Sequence, residues 1–488
     1  MKTNIRISLG VVLALGVAVS ATAADRFDAI RAQIREGLVK DSVPSIAVAV
    51  AKDGKIVWEE GFGWADREKM IPATQHTSYS LASISKPITA TALMTLVQAG
   101  KIDLDKPAND YLGNAKLRAH VGDVNAATVR RVANHTSGLP LHYQFFYADE
   151  PYQPPSMDET ILRYGNLVTA PGEQYEYSNL GYGVLDYIIE RASGQTYADF
   201  MRREVFAPLG MTRTSVDIGP GLAEFAATRY GEDQLPIPFY DFDHPGASAV
   251  FASAHDLVRF GMFHIKAHLR DQKPILSDAS LDEMHRSTSG DKAEEGYGVG
   301  FAVSQSQGHR EIGHTGGMGG VATTMRLFPD DKLAVVVLSN SMSRLPFTIA
   351  DRIAGVMLPG WKEKPRREWP KPPPFVTPSQ LQGTWKGTLE TYTKALPVEF
   401  KFLPDGNVHA KVGDQLPTLV DAASFKDGVF QGSLNARIGT PDAERMRYVV
   451  ELNLHLRGDV LNGAATAVGE DVPRVRNAVT QWLELKKQ

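Results

Sequence analysis

Two residues in the stretch "LASISKPITA" have the types and spacing of a nucleophile and its base. Ser83 and Lys86 lie three positions apart, so at the start of a helix both side chains share one face and can reach each other. A serine hydroxyl becomes a strong nucleophile when a neighbouring base takes its proton, and a partly buried lysine with a lowered pKa is such a base. Taken alone, the pair also fits a helix cap beside a surface lysine, because Ser-x-x-Lys occurs often by chance.

A glycine-rich stretch, "EIGHTGGMGGV" at residues 311–321, raises the question of phosphate binding. A phosphate loop follows a strand and opens a helix, whose N-terminal N–H groups bind the anion. The residues that follow here are two β-rich runs joined at Pro329–Asp331, which predict a hairpin, and the Walker lysine is absent. We therefore expect the glycines to let a strand lie close to a bound molecule.

Three motifs occur in order along the chain: Ser83-x-x-Lys86, then Tyr177-x-Asn179 in "QYEYSNLGYG", then His314–Thr315–Gly316. In this order they resemble the serine β-lactamase and penicillin-binding hydrolase superfamily. The resemblance is to its class C-like branch, with its esterases, D-aminopeptidases and D,D-peptidases. The stretches "NHTSGLP" and "FASAHDLVRFG" are similar as well, and the likeness covers about residues 26–358.

The resemblance implies a catalytic role for several residues. Ser83 attacks a carbonyl and becomes the acyl-enzyme, while Lys86 and Tyr177 draw the proton from Ser83 and pass it to the leaving group. The backbone N–H groups of Ser83 and Gly317 are implied to form the oxyanion hole, in which one donor contributes ~3 kcal/mol to catalysis. The resemblance implies no cofactor.

The resemblance also implies which residues bind the substrate. Asn179 hydrogen-bonds Lys86 and the substrate, and His314, Thr315 and Gly316 line the strand beside it. His314 departs from the family pattern, because β-lactamases and most penicillin-binding enzymes have a lysine there that binds the substrate carboxylate. A histidine, with an ordinary pKa of about 6.5, is mostly neutral at pH 7, which favours esters, amides or peptides over β-lactams. The alternative is that His314 is protonated near a carboxylate and does the lysine's work.

The secondary-structure patterns indicate how these residues are brought together. Residues 26–40 have the pattern of an amphipathic helix, residues 45–66 that of a hairpin turning at Asp53–Gly54, and residues 83–100 that of a long helix. Strand patterns return near the end of the region, after a mostly helical middle. We therefore predict an α+β fold, in which an antiparallel sheet is flanked by helices and joined by a helical subdomain.

We predict four segments along the chain. Residues 1–23 have two cations, a short apolar run and Ala-Thr-Ala, which is typical of a secretory signal peptide cleaved after Ala23. Residues 24–359 are the hydrolase domain, and residues 360–378 are a proline-rich linker. Residues 379–488 have the alternation of a small all-β barrel domain, which resembles the lipocalin-like barrels appended to some relatives. We expect a periplasmic or secreted protein.

Composition and the remaining motifs argue against several classes of protein. A formal net charge of −4 does not favour a nucleic acid or an anionic membrane as partner. The N-terminal apolar run is shorter than the ~20 residues that span a bilayer, so we expect no stable membrane insertion. His264 and His268 have the spacing of two metal ligands, but no third ligand is evident; we expect no bound metal there and interpret the pair as part of a solvated helix face. The α/β-hydrolase motif GxSxG is absent.

Other stretches leave alternatives open. The aromatic-rich stretches "LHYQFFYADEPYQPP" and "IPFYDFDHP" fit either core packing or the wall of a substrate pocket. His135 and Ser137 are too close in sequence to form a triad by themselves, and we expect them to order a turn.

The sequence predicts an exported serine hydrolase that acts through a Ser83 acyl-enzyme on small amides or peptides, D-amino-acid peptides included, or on esters. Within enzymes, the alternative is a β-lactamase or a D,D-carboxypeptidase. A second alternative is a penicillin- or muropeptide-binding sensor that is acylated without turnover. A third is a lipid-binding barrel carried on a hydrolase scaffold. No pattern predicts the oligomeric state.

Overall fold

The computed structural model describes residues 25–219, 221–290, 292, 294–362, 374–470 and 477–488. The predicted signal peptide and most of the predicted linker lie outside the described residues. In this part of the chain, the model contains no helix with the length and apolar character needed to cross a membrane.

The α-helices of the described residues are concentrated before residue 360. They are α1 Asp28–Lys40, α2 Ser85–Gln98, α3 Val129–Ala133, α4 Met157–Tyr164, α5 Asn179–Ser193, α6 Tyr197–Phe200, α7 Pro245–Ser248, α8 Ala254–His264, α9 Asp278–Met284 and α10 Leu345–Met357. A π-helical turn follows α6 directly at Met201–Phe206.

The strands of the first domain form one large sheet and several short pairs. They are β1 Ser45–Lys52, β2 Lys55–Asp66, β3 Ile71–Pro72, β4 Ser78–Ser80, β5 Arg118–Ala119, β6 Phe145–Tyr147, β7 Asn166–Leu167, β8 Thr214–Val216, β9 Tyr240–Phe242, β10 Val250–Ser253, β11 Gly296–Tyr297, β12 Ala302–Ser306, β13 His309–Met318, β14 Val321–Phe328 and β15 Leu333–Ser339. The large sheet has eight strands in the order β11-β12-β13-β14-β15-β1-β2-β3. Because β1 pairs antiparallel with both β2 and β15, the two ends of the region meet in one sheet, which confirms the predicted fold class.

The central strands of the sheet are buried on both faces because helices cover each side. In β1, Ile46 and Val48 pack in a cluster that includes residues of α1 and α10. The intervening Ala47 and Ala49 belong to the cluster on the other face, where α8 packs. Side chains alternate across a strand, so one strand contributes to two cores. This explains why β1 is an unbroken apolar run.

The helix that follows the candidate nucleophile is buried along most of its length. α2 packs against α5 and α7, and its residues from Ser85 to Met94 are all buried. A helix that is surrounded by protein is apolar all round and not on one stripe. Because α2 is buried between the sheet and the other helices, the residues at its start have fixed positions.

The C-terminal region is a nearly closed antiparallel barrel, as predicted. Its nine strands are β16 Gly383–Glu390, β17 Ala395–Phe402, β18 Val408–Val412, β19 Thr418–Leu419, β20 Asp421–Lys426, β21 Val429–Leu434, β22 Tyr448–Arg457, β23 Val460–Gly469 and β24 Ala478–Lys487. The edge strands β19 and β20 follow one another in the chain. Val420 lies between them, and its N–H donates to the Val408 carbonyl at 2.8 Å. Large buried rings pack inside, among them Trp385, Phe400 and Phe430.

The barrel packs on the first domain through the outer faces of β23 and β24. Ala464 and Trp482 form an apolar cluster with Val168 of the first domain. The His120 ring stacks on Trp482 with centroids 4.5 Å apart and planes 6° from parallel. These strands are thus covered on both faces, which explains their long buried runs.

Candidate active site

The candidate nucleophile lies in a turn with an unusual backbone. Ser83 is the central residue of the 3₁₀ turn Ala82–Ile84. Ala82 has φ +48°, a left-handed conformation that costs an alanine roughly 1–2 kcal/mol. Hydrogen bonds on both sides of Leu81 offset this cost: its N–H donates to a carbonyl of β10 at 2.9 Å, and its carbonyl accepts from Thr323 Oγ1 at 2.9 Å. The strained turn is therefore fixed between two strands.

The long helix begins two residues later than the sequence pattern indicates. We predicted a helix from Ser83, whereas α2 starts at Ser85. Residues Ala82–Ile84 form a 3₁₀ turn, and the regular α-helix begins directly after it. Lys86 still lies one turn beyond Ser83, so the predicted proximity of the two side chains is present.

Lys86 is fully buried and surrounded by oxygen atoms. Its Nζ lies 3.0 Å from Ser83 Oγ and 2.7 Å from Asn179 Oδ1. The carbonyl oxygen of Ala247, in α7, lies 3.2 Å from the same nitrogen. Burial lowers the pKa of Lys86 well below its ordinary 10.5. The amine thus lies beside Ser83, and burial favours its uncharged form.

The Ala247 carbonyl is held by a network that no sequence pattern indicates. Thr89 Oγ1, from α2, donates to the Gly246 carbonyl at 2.6 Å, and the Gly246 N–H donates to Asp186 Oδ2, from α5, at 2.5 Å. Burial raises the pKa of Asp186 well above its usual range. Because α7 is tied to both helices, the third acceptor around Lys86 has a fixed position.

Tyr177 approaches Ser83 from the opposite side. It lies in an extended stretch outside any strand, residues 175–178. Its hydroxyl shares a hydrogen bond with Ser83, and Lys86 Nζ lies 4.8 Å from the centre of its ring. Burial raises the pKa of Tyr177 above its ordinary 10. At neutral pH the phenol therefore keeps its proton.

Ser178 and Asn179 join this stretch to α5. Ser178 caps the helix, because its Oγ accepts the Gly181 N–H at 3.1 Å and donates to the Pro140 carbonyl at 2.8 Å. Asn179 is the first residue of α5, and its Oδ1 faces Lys86. The cap thus fixes the direction from which Asn179 enters the site.

His135 orders the turn beside Tyr177, as predicted. Its backbone has φ +62°, and its Nδ1 accepts the Ser178 N–H at 3.1 Å. The imidazole packs against aromatic rings, with the Tyr177 centroid 4.4 Å and the Tyr297 centroid 4.7 Å away. Burial lowers the pKa of His135 well below its usual range. A neutral, fully buried imidazole is therefore an anchor for the Tyr177 stretch.

The motif His314–Thr315–Gly316 lies on an open edge of β13. Strand β12 pairs with β13 only as far as Gly313, while β14 pairs with it through Met318. A Cβ added at Gly316 would lie 2.1 Å from the Leu81 carbonyl oxygen, so only glycine fits this close to the nucleophile turn. Gly317 follows on the exposed edge. The glycines admit backbone contact between strand and turn, as the sequence predicted.

His314 is half-buried and uncharged. Its Nδ1 lies 2.6 Å from the carbonyl oxygen of Thr315, which can only accept, so Nδ1 carries the proton. Burial, and then the neighbouring Lys86, lower the pKa of His314 to about 3. Its Nε2 is thus a hydrogen-bond acceptor at neutral pH. The alternative of a protonated His314 held by a carboxylate finds no support in this geometry.

A cavity of about 940 Å³ lies beside this cluster. Tyr177 and His314 belong to its lining, although Ser83 itself does not. The lining also includes Thr315 of β13, and Arg344 and Phe347 at the start of α10. It is large enough for a molecule of several residues.

Two other sequence interpretations have an outcome here. His264 is fully buried, with Nε2 3.0 Å from Thr91 Oγ1 and Nδ1 3.0 Å from His285 Nε2. The interpretation as a solvated helix face was therefore wrong for His264; His268 is exposed because α8 ends at His264. In the described residues, no group of three or more candidate ligands could hold a metal ion.

In the aromatic stretches, β6 pairs with β9 and both are largely buried in the core.

The fold and the Ser83–Lys86–Tyr177 cluster together have the arrangement expected of a serine hydrolase of the Ser-x-x-Lys type. A family model described as Beta-lactamase matches residues 30–356, and the chain belongs to this family. It is 29% identical to penicillin-binding protein 4* of Bacillus subtilis (strain 168) over 319 residues, which are 60% of this chain and 67% of that protein.

Solved structures show the same architecture. SurE matches with a TM-score of 0.64 and 21% identity over 93% of this chain and 99% of its own, so the similarity extends through the barrel. A class C beta-lactamase matches with a TM-score of 0.58 and 21% identity over 69% of this chain and 97% of its own. At these identities the likeness shows the fold. The predicted superfamily is confirmed.

Proposed function

We propose that this serine hydrolase is exported and acts through an acyl-enzyme on Ser83, with small amides or peptides, D-amino-acid peptides included, or esters as substrates. The observation that carries the proposal is the set of three oxygens around the buried Lys86, whose pKa burial lowers. Membership of the family does not by itself specify the substrates or the export. The predicted signal peptide supports the export.

The hydrogen bonds of Lys86 leave it one way to act. A neutral amine has two hydrogens and one lone pair. Asn179 Oδ1 and the Ala247 carbonyl can only accept, so they take the two hydrogens. The lone pair is then left for Ser83 Oγ, which lies 3.0 Å from Nζ. Lys86 is thus the general base that takes the Ser83 proton during attack.

Tyr177 completes the proton transfer. Its phenol is protonated at neutral pH and bonded to Ser83, so it is placed to give a proton to the leaving group. In acylation, the Ser83 Oγ–carbon bond forms, the bond to the leaving amine or alcohol breaks, and the leaving group departs protonated. The Ser83 proton taken by Lys86 replaces the one that Tyr177 gives. Deacylation repeats the sequence, with water as the nucleophile and Ser83 Oγ as the leaving group.

The oxyanion formed at the carbonyl needs two donors. The backbone N–H groups of Ser83 and Gly317 are the proposed pair. Support comes from the close approach of Gly316 to Leu81, which brings the open edge of β13 against the nucleophile turn. Each such donor contributes about 3–4 kcal/mol to lowering the barrier.

His314 and the cavity indicate the substrate class. With Nε2 as an acceptor, His314 favours a substrate N–H or ammonium group over a carboxylate. Asn179, whose carbonyl oxygen faces Lys86, has its NH₂ group available to a substrate carbonyl. A cavity of about 940 Å³ suits a short peptide. A relative in fold, SurE, has been crystallised with D-Leu, which is in keeping with D-residues in the substrate.

The test is turnover of three substrates by wild type and Ser83→Ala. A D-alanyl peptide amide and a short-chain nitrophenyl ester are expected to be hydrolysed by wild type, and a penicillin slowly. Ser83→Ala is expected to lose at least about 10³-fold in kcat because it removes the nucleophile. Its thermal unfolding is the control, since one hydroxyl contributes little to stability. Near-wild-type activity of the variant would overturn the proposal, and fast turnover of penicillin alone would favour the β-lactamase alternative.

A further inference from the structure

The stretch that carries Tyr177 has few backbone contacts of its own. Residues 171–178, named here the Tyr177 segment, contain turns and extended backbone but no helix or strand. Three of its N–H groups reach the turn around His135: Gly172 donates to the Thr136 carbonyl and Glu176 to the His135 carbonyl, each at 2.7 Å, and Ser178 donates to His135 Nδ1 at 3.1 Å. A segment outside any helix or strand also depends on side-chain contacts for its position.

The barrel supplies such contacts at the start of the segment. Arg457, at the end of β22, donates to both carboxylate oxygens of Glu173, at 2.7 and 2.8 Å. This is the two-pronged geometry that fixes a carboxylate most firmly. The Arg457 guanidinium is also the chief cause of a lowered pKa at Glu173. The pair therefore fixes Glu173, four residues before Tyr177.

A second contact lies next to Tyr177. Gln174 Nε2 lies 3.3 Å from His455 Nε2 of the barrel and donates to Glu176 Oε2 at 3.0 Å. His455 points from the same strand as Arg457, two residues before it. The barrel strand β22 thus contacts the segment at two successive residues, and the second contact is passed on to the neighbour of Tyr177.

The barrel also holds the far side of the segment. Tyr143 and Ala478 of β24 exchange two backbone hydrogen bonds of 2.9 Å, and Thr480 Oγ1 donates to the Leu141 carbonyl. The adjoining Pro140 carbonyl accepts from Ser178 Oγ. Both ends of the Tyr177 segment are therefore tied to the barrel, one directly and the other through Pro140 and Leu141.

We propose that Arg457 and His455 are positioning residues for Tyr177, so that the barrel is a working part of the catalytic apparatus. The inference rests on the proposed role of Tyr177 as the proton donor. Arg457 touches neither the substrate cavity lining nor Ser83. It acts through Glu173 on the position of the Tyr177 hydroxyl group.

The effect is expected to depend on the leaving group. An amide nitrogen must be protonated as it leaves, whereas nitrophenolate leaves without a proton. Displacing Tyr177 slightly should therefore slow acylation by the amide much more than acylation by the ester, and kcat/KM reports the acylation step. For Arg457→Ala we expect about a tenfold loss of kcat/KM on a D-alanyl peptide amide, carried by kcat with KM little changed, and less than about a threefold loss of kcat/KM on the nitrophenyl ester.

Asp442→Asn is the matched control. Asp442 also joins the barrel to the first domain, accepting from the Tyr164 hydroxyl at 2.6 Å and from Arg163 at 3.1 Å, but these partners belong to α4 and not to the Tyr177 segment. It should leave the ratio of amide to ester activity unchanged. A merely structural role of the interface would move both variants alike.

Two further variants complete the experiment. Glu173→Gln removes the same ion pair from the other side and should reproduce Arg457→Ala. In a Tyr177→Phe background, Arg457→Ala should have no further effect, because the group it positions is gone. An unchanged amide-to-ester ratio in Arg457→Ala and Glu173→Gln, or an additive loss in Tyr177→Phe, would overturn the inference. If Ser83→Ala or Tyr177→Phe retains full activity, the proposed function fails instead.

Discussion

The two walls of the cleft are held by different means. On one wall, residues 81–86, the nucleophile turn and the start of α2 are fixed by backbone hydrogen bonds and by burial on all sides. On the other wall, the Tyr177 segment has no regular structure and relies on His135, on a helix cap and on the barrel. The difference teaches how the two jobs are divided. In the proposed mechanism, the base and the nucleophile are held rigidly, while the proton donor depends on contacts from the second domain.

This division has a physical reason. Lys86 must stay dry to remain uncharged, and burial between sheet and helices provides that. Tyr177 borders the cavity, so it must reach both Ser83 and an incoming substrate. A segment at the mouth of a cleft cannot be buried in the same way. Contacts from outside, such as those of Arg457, then fix it.

The largest effect is expected on the rigid wall. Lys86→Met keeps the volume and removes the base, and should lower kcat/KM on the peptide amide by roughly 10²–10⁴-fold. Because the unfolded chain binds a proton on Lys86 that the folded chain does not, the wild-type free energy of unfolding should rise with pH between the lowered pKa and 10.5. Lys86→Met should lack this contribution to the slope.

Chemical denaturation of both proteins across pH measures that slope. If Lys86→Met had the same pH dependence of unfolding as wild type, Lys86 would be charged in the folded protein, and the proposed role of burial on this wall would be wrong.

Tyr177→Phe tests the proton donor on the wall formed by the Tyr177 segment. The phenyl ring retains the packing against His135, while the proton donor is lost. We expect about a hundredfold loss of kcat/KM, which reports acylation, on the peptide amide and less than about a tenfold loss of kcat/KM on the nitrophenyl ester. Steady-state kinetics on the two substrates tests this. Equal losses on both would mean that Tyr177 serves the attack of Ser83 and not the departure of the leaving group.

A smaller change is expected at His314, between the walls. Replacing it by lysine supplies the cation that binds a substrate carboxylate, so His314→Lys should be acylated by penicillin about tenfold faster than wild type. His314→Gln, which has no charge, is the control and should not gain. The acylation rate is measured by intact mass after rapid quenching. No gain in His314→Lys would show that the carboxylate argument is wrong.

The parts of this site that follow from spacing along one element could be predicted. Ser83 and Lys86 are one turn apart, and the hairpin at Asp53–Gly54 places two positive-φ residues where a tight turn needs them. Alternation and turn residues likewise predicted the barrel strands. Ordered motifs, not any single one, then predicted that Tyr177 and Asn179 meet Lys86.

The remaining parts depend on contacts between distant segments, which no local pattern records. The Ala247 carbonyl is a backbone atom, and any residue type there could provide it. Asp186 and Arg457 act through partners far away in the chain. His264 was placed on a solvated face because no third metal ligand was evident, whereas contacts with Thr91 of α2 and with His285, distant in the chain, bury it.

The role of Ser83 as the nucleophile is tested by a time course of intact mass and peptide mapping during turnover of the peptide amide and the nitrophenyl ester. We expect a transient adduct of the acyl mass on the peptide that contains Ser83, which forms in wild type, is absent from Ser83→Ala and decays as product appears. Turnover with no adduct on Ser83, or a lasting adduct with no product, would contradict hydrolysis through a Ser83 acyl-enzyme, and the second result would identify a sensor.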